Sequence, residues 1–81
     1  MSNKIGPTVY KLVYEYSHQS AHALNESEND AMAEYFNDLV TRLVRGDAID
    51  AETLLVLANE YKIDELRVPE IARFLDQWGK V

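Results

Sequence analysis

Three carboxylates raise the first chemical question in this chain. Asp30, Glu34 and Asp38 recur at every fourth residue. On a helix, that spacing stacks them in one row. The row lies within 12–41, a stretch that has no Lys or Arg but six acids: Glu15, Glu26, Glu28, Asp30, Glu34 and Asp38. Like charges at i,i+4 cost a helix roughly 0.2–0.5 kcal/mol per pair. A helix shaped only for stability would alternate signs there. A carboxylate row can steer a basic partner and speed its association. It can also imitate the phosphates of a nucleic acid. The same pattern is expected of an ordinary solvated face, whose first-turn acids suit the helix macrodipole.

Two other groups could do chemistry. His18 and His22 are four apart, the spacing at which two imidazoles can share a metal. Glu15 and Glu26 extend that row. Four such groups on one helix cannot converge on one ion, and no other segment offers a His, so no metal site is expected. The tyrosines form the second group. Tyr10 and Tyr14 lie off the main apolar stripe of their segment, Tyr16 lies on it, and Tyr35 sits beside Phe36. Tyrosine combines a large apolar area with a polar tip and is enriched at interfaces. Tyr10, Tyr14 and Tyr35 therefore join Asp30, Glu34 and Asp38 as candidate partner-binding residues. The competing reading is a wide core face. No nucleophile elbow or phosphate-binding loop is present, and three glycines leave no room for a Gly-rich cofactor loop. An enzyme and a bound cofactor are both unexpected.

The elements that must position these residues read as helices. Val9, Leu12, Val13, Tyr16, Ser20, Ala23 and Leu24 follow helical spacing and predict a helix over 7–24, with Pro7 in its first turn. Tyr10, Leu12, Tyr14 and Tyr16 also alternate with Lys11, Val13 and Glu15, as in a strand. The helical pattern runs longer, so helix is expected. Asn25 to Glu28 has the form of a capping box. A second helix, 28–45, then carries Met32, Phe36, Leu39, Val40 and Leu43 inward and stops at Gly46. Asp50 caps a third helix, 51–61, with Leu54, Leu57, Ala58 and Tyr61 inward. After a connector in which Asp64 can cap a single turn, Pro69 opens a fourth helix, 69–78, striped by Ile71, Phe74, Leu75 and Trp78.

The composition bounds the rest. Eighty-one residues make one domain, 1–81. The hydrophobic fraction of 47% suffices for a core. A net charge of −6 disfavours DNA, RNA and anionic membranes, which are bound through Lys and Arg. No cysteine is present, which excludes disulfides and suits a reducing cytoplasm. The N-terminal MSNKIGPT has no apolar signal core, so a secretory signal is not expected. Residues 54–75 could be a helix-turn-helix, but Glu70 and Asp76 on its second helix would repel phosphate.

The stretch 35–75, including YFNDLVTRLVRGDAIDAETLLVLANEYKIDELR, resembles the helical C-terminal half of a BTB/POZ domain. There, a helix ends in a Gly-containing turn, a leucine-rich helix closes on a Lys-Tyr-like pair, and a short helix follows. The matching residues here are Gly46, Leu54, Leu55, Ala58, Tyr61 and Leu66. The resemblance covers half of the chain and leaves no room before Tyr35 for the strands that open such a domain. It implies a protein-interaction role.

The expectation is an all-α, compact four-helix domain. Its expected role is a non-catalytic inhibitor, immunity or adaptor-type module that docks an acidic helix face on a basic partner such as a nucleic-acid enzyme. The alternatives are a dimeric nucleic-acid-associated regulator using the C-terminal helix pair, and a structural homo-oligomeric subunit.

Overall fold

The computed structural model describes residues 7–20 and 23–79, with side chains for 8–20 and 23–77. Four α-helices follow one another: α1 (Pro7–Gln19), α2 (Glu26–Val44), α3 (Ala51–Glu60) and α4 (Val68–Gly79), with a 3₁₀ turn (Glu65–Arg67) leading into α4. No strand occurs among the described residues, and the fold is all-α. The radius of gyration, 11.8 Å, is what a compact chain of this length should have, about 12 Å. Residues 8–16 are helical, so the strand-like alternation of Tyr10 to Tyr16 is overridden by the apolar stripe Val9, Leu12, Val13 and Tyr16, which is buried.

Helix α1 stops five residues earlier than its apolar periodicity predicts. The chain bends at Ser20, whose hydroxyl bonds to Glu70 (3.0 Å) and accepts from Arg67 (3.2 Å). Asn25 then takes an extended conformation and caps α2. Its side chain accepts from the Glu28 amide (2.8 Å), and the Glu28 side chain accepts from the Asn25 amide (3.0 Å). This reciprocal box satisfies two of the four amides that a helix start leaves unpaired. Asp50 and Asp64 cap α3 and the 3₁₀ turn more simply, each side chain accepting from one amide, that of Thr53 (2.8 Å) and that of Leu66 (3.0 Å).

Two helices end in the same closed motif. At the end of α2, Gly46 has φ +90°, and the Gly46 and Asp47 amides return to the carbonyls of Leu43 and Arg42. At the end of α3, Lys62 takes the left-handed position with φ 61°, and the Lys62 and Ile63 amides return to Asn59 and Ala58. Both are Schellman closures. Glycine suits the first; the second holds a residue with a Cβ in the left-handed region.

One aromatic cluster joins the helices. Tyr16 of α1, Phe36 of α2 and Phe74 of α4 touch pairwise, with centroids 5.8–5.9 Å apart. Tyr35, also on α2, faces the other way and meets Tyr61 at 6.2 Å. Helix α2 therefore buries a face wide enough to serve α1 and α4 on one side and α3 on the other. Leu12, Met32, Leu39 and Ile71 complete the most deeply buried set.

Candidate functional site

The carboxylate row survives, but it is shifted by one turn. Asp30 and Glu34 are exposed on α2. Asp38 is withdrawn from the row, with its side chain only 22% exposed. It accepts from Arg42 Nε (2.6 Å) and from the Tyr61 hydroxyl (2.6 Å), tying α2 to the end of α3. Partial burial works against its charge, but the bonds from Tyr61 and Arg42 hold its carboxyl below the usual range. The same contact pushes the Tyr61 phenol up to about 12. Asp38 thus spends its carboxylate on packing α2 against the end of α3. Glu26, four residues before Asp30, is exposed and takes its place. No hydrogen bond or ion pair among the described residues engages Glu26, Asp30 or Glu34. The unpaired row is Glu26–Asp30–Glu34.

The tyrosines divide as well. Tyr10 and Tyr14 are 58% and 65% exposed on α1, consistent with a surface role. Tyr35 is 0% exposed and is corrected from a partner contact to a core residue. Its hydroxyl donates to the Leu54 carbonyl (2.9 Å), and burial pushes its phenol up to about 12. A buried Tyr needs such a partner for its polar tip. His18 is exposed and packs its ring edge-on against Tyr14 at 4.5 Å. His22 lies outside the described residues. Among the described residues, no group of three or more His, Cys, Asp or Glu could hold a metal ion.

Two features were not foreseen. The first is a polar node in which Glu70 Oε1 accepts from both Tyr16 (2.5 Å) and Ser20 (3.0 Å). Arg67 bonds Ser20 and reaches Glu28 at 3.6 Å. Burial, followed by the Glu70 contact, raises the Tyr16 phenol above its ordinary value. Glu70 therefore does not face outward as a helix-turn-helix reading of 54–75 requires. The node links α1, the cap of α2 and the start of α4, and each polar group within it has a partner. It reads as architecture.

The second feature is an apolar groove of about 510 Å3. Its walls are Leu43 at the end of α2, Ile49 in the connection, Leu54 of α3, and Ala72 and Leu75 of α4. Alanines at 48, 51 and 72 leave the space open. Two exposed carboxylates, Asp47 and Asp76, are the charged groups that line it. Leu43 is 39% exposed, and its chain neighbour Val44 is 81% exposed. The sequence signal was the pair of apolar doublets, Leu43–Val44 and Ala48–Ile49, on either side of Gly46. One helix stripe cannot bury both.

No helix among the described residues is long and apolar enough to cross a membrane. Comparison with known proteins gives one family. Residues 1–81 match the model of a family described as "Protein of unknown function (DUF2543)". The chain is also similar to "Uncharacterized protein YmjA" of Escherichia coli (strain K12), with 35% identity over 79 residues covering 98% of each chain. No solved structure matches. The whole-length match to the family model, together with the relative's near-complete coverage, places the chain in the DUF2543 family.

Proposed function

We propose that this protein is a small, non-catalytic protein-binding module that works in the cytoplasm. It docks the acidic face of α2 on a basic surface of its partner, in the manner of an inhibitor, immunity or adaptor protein. The observation that carries this reading is the row Glu26–Asp30–Glu34: exposed, four residues apart and unpaired. A row that served stability would recruit cations. Here the nearby basic residues are used elsewhere, Arg42 on Asp38 and Arg45 on Asp47. The net charge of −6 adds a long-range field of the same sign. A basic surface that normally holds nucleic acid is a chemically suitable target, because it is built to receive closely spaced negative charges.

The test is a comparison of two baits, wild type and Glu26/Asp30/Glu34→Lys, each confirmed folded by circular dichroism. A basic protein retained by wild type alone is purified, and its association rate is measured against salt. The expected result is a rate that falls steeply with salt for wild type and is slower and nearly flat for the variant. Identical rates would refute the reading. Tyr10 and Tyr14 favour a second reading, a homo-oligomeric subunit joined through α1. Light scattering at high concentration decides it: a monomer removes that reading.

A further inference from the structure

The outer face of α1 is built from two matched pairs. Val9, Leu12, Val13 and Tyr16 turn inward. On the other side lie Tyr10, Lys11 and Tyr14, all exposed, and Glu15, half-buried. Tyr14 touches His18 of its own helix edge-on at 4.5 Å, yet 65% of it stays exposed. No ion pair among the described residues engages Lys11 or Glu15. With 3.6 residues per turn, Tyr10 and Tyr14 form one flank of this face. Lys11 and Glu15 form the other, about 100° further round. Each flank is a pair of residues four apart, and both pairs are centred close to the junction of Leu12 and Val13.

That arrangement chooses the occupant. A two-fold axis crossing α1 relates two copies that run antiparallel, and each flank meets the same flank of its counterpart in reverse order. With the axis between Leu12 and Val13, Lys11 comes level with Glu15 of the partner subunit to within about 1.5 Å along the helix. Tyr10 comes level with Tyr14 of the partner subunit to the same degree. Opposite charges and aromatic rings are thus brought together, each pair twice. A parallel pair would instead set Lys11 against Lys11 of the partner subunit. Two copies meeting through α2 would bring the row Glu26, Asp30 and Glu34 against itself. A nucleic acid would find one Lys here, beside a carboxylate. A basic protein gains more on α2, because Lys11 offsets Glu15.

We infer that α1 is a self-association surface on which two copies pack antiparallel, with Lys11 on Glu15 of the partner subunit and Tyr10 on Tyr14 of the partner subunit. This rests on the reading of the chain as a homo-oligomer joined through α1, and gives that contact its register. A contact confined to one helix of 13 residues falls at the small end of specific interfaces, below about 1,200 Å2 in total. The dimer is therefore one that dissociates on dilution.

The experiment is sedimentation of the full chain over a concentration series at about 0.15 M salt. The expected result is a dimer fraction that rises with concentration. Lys11→Glu sets acid against acid at both charge contacts, and Glu15→Lys sets cation against cation. Each should weaken the dimer about tenfold or more, with the circular dichroism spectrum of wild type. Glu15→Lys also makes the chain two units less negative than −6, so overall repulsion cannot account for its loss of dimer. Mixed in equal amounts, the two variants restore opposite charges at both contacts. The mixture should dimerise to within about threefold of wild type, which a misfolded variant could not do. A wild type that stays monomeric at high concentration overturns the inference and the homo-oligomeric reading together. A dimer that tolerates both reversals but is lost in Tyr14→Ala overturns the inference and keeps that reading. A dimer that both reversals weaken and their mixture fails to restore also overturns the inference.

Discussion

Replacing Tyr35 by Phe separates a core residue from an interface residue, with an effect that changes sign with pH. The ring stays and only the hydroxyl goes. That hydroxyl is buried and donates to the Leu54 carbonyl at 2.9 Å. Leu54 lies within α3, where its carbonyl also receives the ordinary helical bond, so the substitution does not orphan it. The cost near neutral pH is therefore that of one net hydrogen bond, about 1 kcal/mol. In a domain of this size, that lowers the melting temperature by about 4–8 °C. In alkali the balance reverses. Burial pushes the Tyr35 phenol up to about 12, above its ordinary value. Its contribution is thus fully present below about pH 10 and is lost as pH rises from there toward 12, because the unfolded chain ionises first. One pH unit corresponds to about 1.4 kcal/mol, so by pH 11 the wild type has given up about that much and Tyr35→Phe has not. The two stability curves should cross shortly below pH 11. Urea melts followed by circular dichroism from pH 7 to pH 11 measure this, and the phenols common to both proteins cancel in the difference. A gap that stays constant over that range would refute the burial argument. Partner affinity at neutral pH should be unchanged, since no partner can touch the side chain.

Four further outcomes are expected. Asp38→Asn should make stability less sensitive to acid: the native carboxyl lies below the ordinary range, so its contribution is present above about pH 4 and lost as pH falls through the native value. Urea melts between pH 3 and pH 7 would show a flatter profile than wild type. Lys62→Gly should stabilise by about 0.5–1 kcal/mol, since relief of the left-handed strain exceeds the added freedom of the unfolded chain; a thermal melt gives the sign. Asn25→Ala should cost about 1 kcal/mol by opening the capping box, measured in the same melt. Phe36→Ala removes the centre of the aromatic cluster and should cost about 3–5 kcal/mol, a large share of the whole stability and visible as lost helicity on mild warming.

The helices and their starts were legible because they rest on local chemistry. The box at Asn25 and Glu28, and the caps at Asp50 and Asp64, lie within three residues of the amides they serve. The stop at Gly46 needed only a residue that tolerates positive φ. What escaped depended on residues far apart in the chain. Ser20 ends α1 through Glu70 and Arg67, about fifty positions away, while Ala23 and Leu24 continue the apolar period past the true end. Asp38 looked like the third member of a row until Tyr61 claimed it from 23 residues away. Tyr35 sat at the edge of a stripe sized for one neighbour, and α2 has neighbours on two sides. Of the surface residues, Asp30, Glu34, Tyr10 and Tyr14 kept the exposure expected of them. The groove is a property of the assembled walls, and the sequence signalled only an excess of apolar doublets around Gly46.

The node at Glu70 also has a meaning in time. A ribosome delivers this chain from α1 onward, and α1 and α2 can begin to pair as soon as both have emerged. The hydroxyls of Tyr16 and Ser20 then wait for partners about fifty residues further along the chain. Phe74, which closes the aromatic cluster, arrives later still. The growing chain therefore carries an open apolar face until α4 is released to shut it.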